Sequence, residues 1–180
     1  MLLKLVSHEI LYKGKVFDLE VDHVEYPSGN KGVREVARHP GGAVTVPILP
    51  DSSILMVRQF RYPLQAFTLE LPAGKLNPGE DPEAAAKREL EEETGWIANR
   101  LEKLTGLLTT PGFCDEVLHI YLARDLTLSP AGHRREEGET DMTVLAMPLQ
   151  EALTLVERQE IRDSKTIVGL FLAERRLAQR

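Results

Sequence analysis

The residues of this chain best suited to chemistry are glutamates crowded into residues 73–96, AGKLNPGEDPEAAAKRELEEETGW. Glu89, Glu92 and Glu93 are spaced i, i+3 and i+4, so on a helix all three project from one face. Glu91 stands among them, but at about 100° per residue it points elsewhere. Three carboxylates on one face repel one another, by roughly a few tenths of a kcal/mol per pair. A counter-charge removes that cost, and a hard divalent cation that takes oxygen ligands, such as Mg²⁺, fits best. For the trio alone, a solvated Glu-rich helix is the plainer reading. The flanking residues decide between the two.

Those flanks punctuate a helix. Asn77-Pro78-Gly79 marks a turn, Asp81 suits the N-cap and Pro82 the first helical position. Glu80 and Glu83 lie at the positive end of the helix dipole, and Gly95 is a natural terminator. The stretch also fits G-x5-E-x7-R-E-U-x-E-E-x-G-U (U apolar) at Gly74, Glu80, Arg88, Glu89, Leu90, Glu92, Glu93, Gly95 and Trp96. At average residue frequencies a chance match in a chain this long is about one in ten million, which reverses the odds. This is the Nudix box, and the chain resembles the Nudix hydrolases. The resemblance implies a loop–helix–loop that binds divalent metal and cleaves a nucleoside diphosphate linked to another group. It implies Glu89, Glu92 and Glu93 as metal ligands, with the backbone carbonyl at Ala73 completing the shell. Gly74 and an orienting ion pair between Arg88 and Glu80 would support the cluster.

Around the box the chain reads as alternating strands. Residues 8–38 form short β-like runs about a Ser28–Gly32 turn, a hairpin pattern with little core of its own. Residues 43–49 and 54–60 are apolar, β-branched runs separated by Pro50-Asp51-Ser52-Ser53 and predict buried strands of a central mixed sheet. Residues 67–71 lead into the box, and 101–109, 117–123 and 143–147 predict further strands. Pro148 precedes an amphipathic helix (Leu149, Ala152, Leu153, Val156). A second follows a Ser164 cap, with Ile167, Leu170, Phe171 and Leu177 on one side. With the resemblance, the expected fold is α+β. It is a Nudix-type α/β/α sandwich with a central mixed β-sheet and a small N-terminal antiparallel sheet. Residues 1–40 form the N-terminal subdomain and 41–180 the hydrolase domain.

Further candidates lie outside the box. Arg58 and Arg61, in VRQFRYP, can each meet a diphosphate with a bidentate fork; the resemblance favours Arg61, in Q-x-R. Pro111, in TPGFCDE, matches the mark of the ADP-ribose pyrophosphatase branch. There Phe113 offers an apolar wall to a base or ribose, and Glu116 can accept from ribose hydroxyls. The branch implies that the N-terminal sheet builds a homodimer by exchange and lends Arg34 to the partner's substrate pocket. It also places a catalytic base in an E-x-E pair on the loop at 129–141. Glu139 is the first choice and Glu137 the second, with Glu93 as the fallback. An ungapped match from the following strand puts Gly138 and Thr140 at those positions, so the pair requires a one-residue insertion.

Composition bounds the rest. The chain has 180 residues, 42% apolar and 28% charged, as expected of one globular domain or one with a small appendage. A formal charge of −6 argues against a nucleic-acid partner. It allows a phosphorylated small molecule, because bound metal reverses the local sign. A single cysteine, Cys114, fits a reducing compartment. The opening MLLKLVSHEILYKG reads as neither signal peptide nor membrane span, so a cytoplasmic enzyme without a membrane partner is expected. The five histidines show no H-E-x-x-H or H-x-H spacing and read as structural. The expected reaction is hydrolysis of ADP-ribose to AMP and ribose 5-phosphate with two to three Mg²⁺ (or Mn²⁺) per site. GDP-mannose or another nucleotide sugar is the alternative substrate, and a non-catalytic nucleotide sensor the distant one.

Overall fold

The computed structural model describes residues 3–135, 137 and 140–179. They divide into two compact units, Met1–Gly41 with Leu108–Val117, and Gly42–Leu107 with Leu118–Arg180.

The larger unit is built on strands β4 (Gly42–Pro47) and β9 (Val117–Leu128), which run parallel in the register Val44↔Ile120 and Val46↔Leu122. Strand β7 (Ala73–Lys75) pairs antiparallel with the other edge of β4, and β8 (Trp96–Leu108) lies outside β9. Alternation along β4 and β9 sends their side chains to two helices. Ala43 and Tyr121 meet Ala85 and Ala86 of α1 (Pro82–Thr94). Val44, Val46, Ile120 and Leu122 meet Leu170 and Ala173 of α3 (Ser164–Ala178). The mixed sheet is therefore sandwiched between α1 and α3. A second sheet, in the order β10 (Thr143–Pro148), β5 (Ser53–Arg61), β6 (Ala66–Glu70), is antiparallel throughout. Helix α2 (Leu149–Glu157) packs on α3 and β10.

Some local expectations change. The runs at 43–49 and 54–60 enter different sheets, because β7 and β9 already occupy both edges of β4. An isolated Ile48↔Ile54 bridge, not a ladder, links the two runs. The strand expected from residue 101 begins at Trp96, where β-prone Trp96 and Ile97 follow the helix stop at once; Trp96 and Ala98 pack with Leu55 and Leu90. Asp163, not Ser164, caps α3, accepting from Thr166 N at 3.0 Å. Phe171, expected on the core side, is 43% exposed.

In the smaller unit β1 (Lys4–Lys13), β2 (Asp18–Glu25) and β3 (Lys31–Arg38) form an antiparallel sheet in that order. Residues 108–117, which the sequence reading assigns to the hydrolase domain, cluster with this sheet. Ala37 N donates to Phe113 O at 2.8 Å and Asp115 N to Ala37 O at 3.3 Å. Val24 is the unit's single buried apolar side chain among the described residues, and β1 is exposed along its whole length. Among the described residues no helix is long and apolar enough to cross a membrane.

Candidate active site

Helix α1 begins and ends as its sequence dictates. Asp81 accepts from Glu83 N at 3.0 Å and Ala84 N at 3.1 Å. Gly95, at φ 76°, donates its N–H to Glu91 O at 2.8 Å. Leu90, Ala85 and Ala86 are fully buried; this fixes the rotation of the helix and turns the Glu89–Glu92–Glu93 side toward β7.

Arg88 is the hub of the carboxylates. Its Nε and Nη2 fork onto Glu80 at 2.8 and 2.9 Å, and Nη2 also reaches the carbonyl of Lys75 at 3.2 Å. Nη1 bridges Glu89 at 2.7 Å and Glu92 at 3.0 Å. The pairing with Glu80, reinforced by Glu89 and Glu92, holds the guanidinium charged far above its ordinary range despite its partial burial. Arg88, helped by a hydrogen bond from Asn77 N, brings the Glu80 carboxyl down to about 2. Glu93, 2% exposed, turns inward and accepts from Ala73 N at 3.1 Å.

Gly74 makes room for this packing. A Cβ there would lie 1.9 Å from Glu89 Cδ and 2.1 Å from its Oε1. The obstructed atoms are the tip of a flexible side chain, so Gly74→Ala should displace the carboxylate rather than unfold the protein. The expected result is a loss of hydrolytic rate of about a hundredfold with a melting temperature within a few degrees of wild type, read by assay and thermal melt together. A rate within threefold of wild type would remove Glu89 from the site.

The loop after β9 is tied to the C-terminal end of α1. Ser129 N donates to Gly95 O at 2.8 Å, Ser129 Oγ to Glu91 at 2.7 Å and Arg134 N to Glu92 O at 2.8 Å. Arg135 Nε donates to Glu93 O at 3.1 Å, placing a cation at the negative end of the helix dipole. Glu137 is exposed, and its carbonyl accepts from Thr140 Oγ1 at 3.2 Å. Glu139 lies outside the described residues.

Arg61 lies at the end of β5, clamped on its inner edge. Its Nε and Nη2 donate to Glu70 at 2.8 and 2.6 Å, while Nη1 meets no protein acceptor among the described residues. Burial alone pushes the Glu70 carboxyl up; the Arg61 hydrogen bonds and the charge of Lys165 outweigh it and bring it down to about 2. Arg58 stacks over the Phe67 ring at 4.0 Å. The remaining candidates belong to the smaller unit. Arg34 donates to Tyr26 Oη at 2.6 Å, Glu116 lies 3.3 Å from His39 Nδ1, and Phe113 is 60% exposed.

Sequence reasoning assigned no individual role to Glu70, Lys165, Arg134 or Arg135. Glu70 had a signal: one acid inside the apolar run FTLEL must be buried with a partner.

A NUDIX domain family model matches residues 39–168. The chain belongs to the NUDIX family. It is 44% identical to the ADP-ribose pyrophosphatase of Bacillus subtilis (strain 168) over 167 residues, 93% of this chain and 90% of that protein. It is 40% identical to the methanol dehydrogenase activator of Bacillus methanolicus, with the same coverage of each. Its fold matches the crystal structure of an ADP compounds hydrolase with a TM-score of 0.85 at 24% identity, covering 99% of this chain and 96% of that one.

NUDIX proteins imply a divalent cation. Among the described residues no three acidic, histidine or cysteine side chains converge so as to hold an ion as they stand. Arg88 Nη1 occupies the space between Glu89 and Glu92, and Glu93 is turned to Ala73 N. The donor set nevertheless fits a hard cation, being entirely carboxylate and carbonyl oxygen.

Proposed function

We propose that this protein hydrolyses ADP-ribose to AMP and ribose 5-phosphate with two to three Mg²⁺ per site, Mn²⁺ substituting. The observation that carries the reading is the α1 face on which one arginine gathers Glu89 and Glu92 beside the inward-turned Glu93. The resemblance to the Bacillus subtilis enzyme supports the substrate.

Glu89, Glu92, Glu93 and the Ala73 carbonyl would hold the divalent cations, which when bound would supply neutralisation of phosphate oxygens and a lowered pKa of water. Glu80 fixes Arg88, and Arg88 fixes the half-buried carboxylates of Glu89 and Glu92. Arg61 turns its outer edge to the diphosphate, and Arg58 adds a second charge. The oxygen of the attacking water bonds to phosphorus, and the bridging P–O bond breaks with its electron pair leaving on the departing phosphate. A carboxylate takes the water's proton: Glu139 first and Glu137 next, both of the loop at 129–141, with Glu93 of α1 as third candidate.

In this reading the N-terminal sheet pairs with a second copy, and Arg34, Phe113 and Glu116 serve the nucleoside end of the substrate. Support comes from β1, an edge strand whose Leu5, Leu11 and Tyr12 are each more than half exposed, an apolar surface that a lone protomer leaves in water. Light scattering should give twice the 20.2 kDa chain mass; a strict monomer would dismiss the shared pocket. The site of action is cytoplasmic, and neither nucleic acid nor membrane is a partner.

The deciding experiment compares kcat/KM for ADP-ribose, GDP-mannose, diadenosine polyphosphates and coenzyme A with Mg²⁺, then with EDTA. ADP-ribose should rank first and EDTA should abolish turnover. Another substrate ranking higher would refute the assignment, and turnover in EDTA would refute the metal.

A further inference from the structure

The C-terminal helix begins with a grip on the strand that enters the glutamate box. Asp163 Oδ2 accepts from Thr166 N at 3.0 Å and Thr166 Oγ1 at 2.6 Å, and Thr166 Oγ1 in turn accepts from Leu71 N at 2.9 Å. One residue earlier, Lys165 Nζ donates both to Glu70 Oε2 and to Asp163 Oδ2. Residues 70 and 71 are thus held at two points, one side chain and one backbone N–H.

The effect on Glu70 is to fill it. Oε1 accepts from Arg61 Nε and from Thr68 Oγ1 at 2.6 Å, and Oε2 accepts from Arg61 Nη2 and from Lys165. A carboxylate offers about four lone-pair sites, and here all are used. With its side chain 3% exposed, Glu70 has neither a vacant site nor room to rotate. Arg61 therefore has one seat, with Nη1 and the second N–H of Nη2 directed away from Glu70. Arg61, Glu70, Arg162 and Lys165 line a cleft of about 750 Å³, within the range of small-molecule sites. Had Lys165 been absent, Oε2 would keep a free site, and the carboxylate could turn and carry the guanidinium with it.

We propose that Lys165 is a positioning residue for substrate binding: it locks Glu70 so that Arg61 presents its outer edge to the diphosphate. This rests on the reading above that Arg61 touches substrate. Lys165 itself need touch nothing that reacts.

A double-mutant cycle tests it, with ADP-ribose and Mg²⁺ and four proteins: wild type, Lys165→Met, Arg61→Ala and both. Lys165→Met should lower kcat/KM about tenfold, as expected for loss of one charge-assisted hydrogen bond. The change should appear in KM, with kcat within about threefold, because the phosphates are charged in ground and transition states alike. Arg61→Ala should cost about a hundredfold, and Lys165→Met should then add less than about twofold in that background. An equal loss from Lys165→Met in both backgrounds would overturn the positioning role and leave the role of Arg61 intact. Wild-type activity in Arg61→Ala would overturn the substrate role of Arg61 and this inference with it. Should Lys165→Met melt below assay temperature, Lys165→Arg takes its place: a loss of about threefold in wild type that vanishes without Arg61 supports the inference, and one that persists refutes it.

Discussion

Glu92→Gln is expected to lower kcat for ADP-ribose by about a thousandfold, the upper range for removing one preorganised electrostatic group, without lowering the melting temperature. The two effects part because Glu92 contributes little to the fold. Its side chain is 30% exposed and, among the described residues, accepts a hydrogen bond from Arg88 Nη1 alone. A glutamine oxygen can still accept that bond. The substitution loses the charge of the i,i+4 pair with Arg88 but also removes one of three like charges from the helix face, and these two terms, each roughly a few tenths of a kcal/mol, offset. If the trio exists to hold a cation, the lost charge appears in chemistry and in the Mg²⁺ concentration needed for half-maximal rate, which should rise. Steady-state kinetics across a Mg²⁺ series, paired with a thermal melt, read both. Activity within tenfold of wild type at saturating Mg²⁺ would leave Glu92 a solvated surface residue. A melting temperature lowered by many degrees would make it a structural one.

The frame was legible in the chain to different depths. Asp81, Pro82 and Gly95 are local signals whose physics needs no distant partner, and α1 runs between them. The apolar runs identified β4 and β5 as buried strands. Which sheet each joins depends on the edges that β7 and β9 had already filled, and no local pattern records that. The same holds for the site. The Arg88–Glu80 pair lies within one motif and is what the resemblance carried by that motif implies. The clamp on Arg61 could not be read in this way, since Lys165 approaches Glu70 from ninety-five positions along the chain. The loop at 129–141 looked acidic and solvated, yet Arg134 and Arg135, which attach it to the end of α1, were hidden among charges of both signs. Long-range polar contacts between single residues leave no periodicity to detect.

Glu70→Gln should destabilise the protein at pH 7 by about 3 kcal/mol, the lower end for breaking a buried ion pair by removing one partner. The glutamine amide would set N–H groups against Arg61 or Lys165, two donors facing one another inside a nearly closed site. In a chain of this size that loss is about 6–12 °C in melting temperature. The pH dependence gives the sharper test. The folded-state pKa of Glu70 is about 2, below the roughly 4.3 of a free glutamate. A depressed carboxylate stabilises the fold fully above its unfolded pKa and loses that contribution as pH falls through the folded one. The stability gap between wild type and Glu70→Gln should therefore be constant from pH 7 to about pH 5, roughly halved by pH 3 and nearly closed at pH 2. Other acids that titrate in this window, Glu80 among them, are common to both proteins and cancel in the difference. Urea melts at pH 7, 5 and 3 measure the gap directly. A gap that stayed constant down to pH 3 would mean that the negative charge of Glu70 is not what secures Arg61 and Lys165.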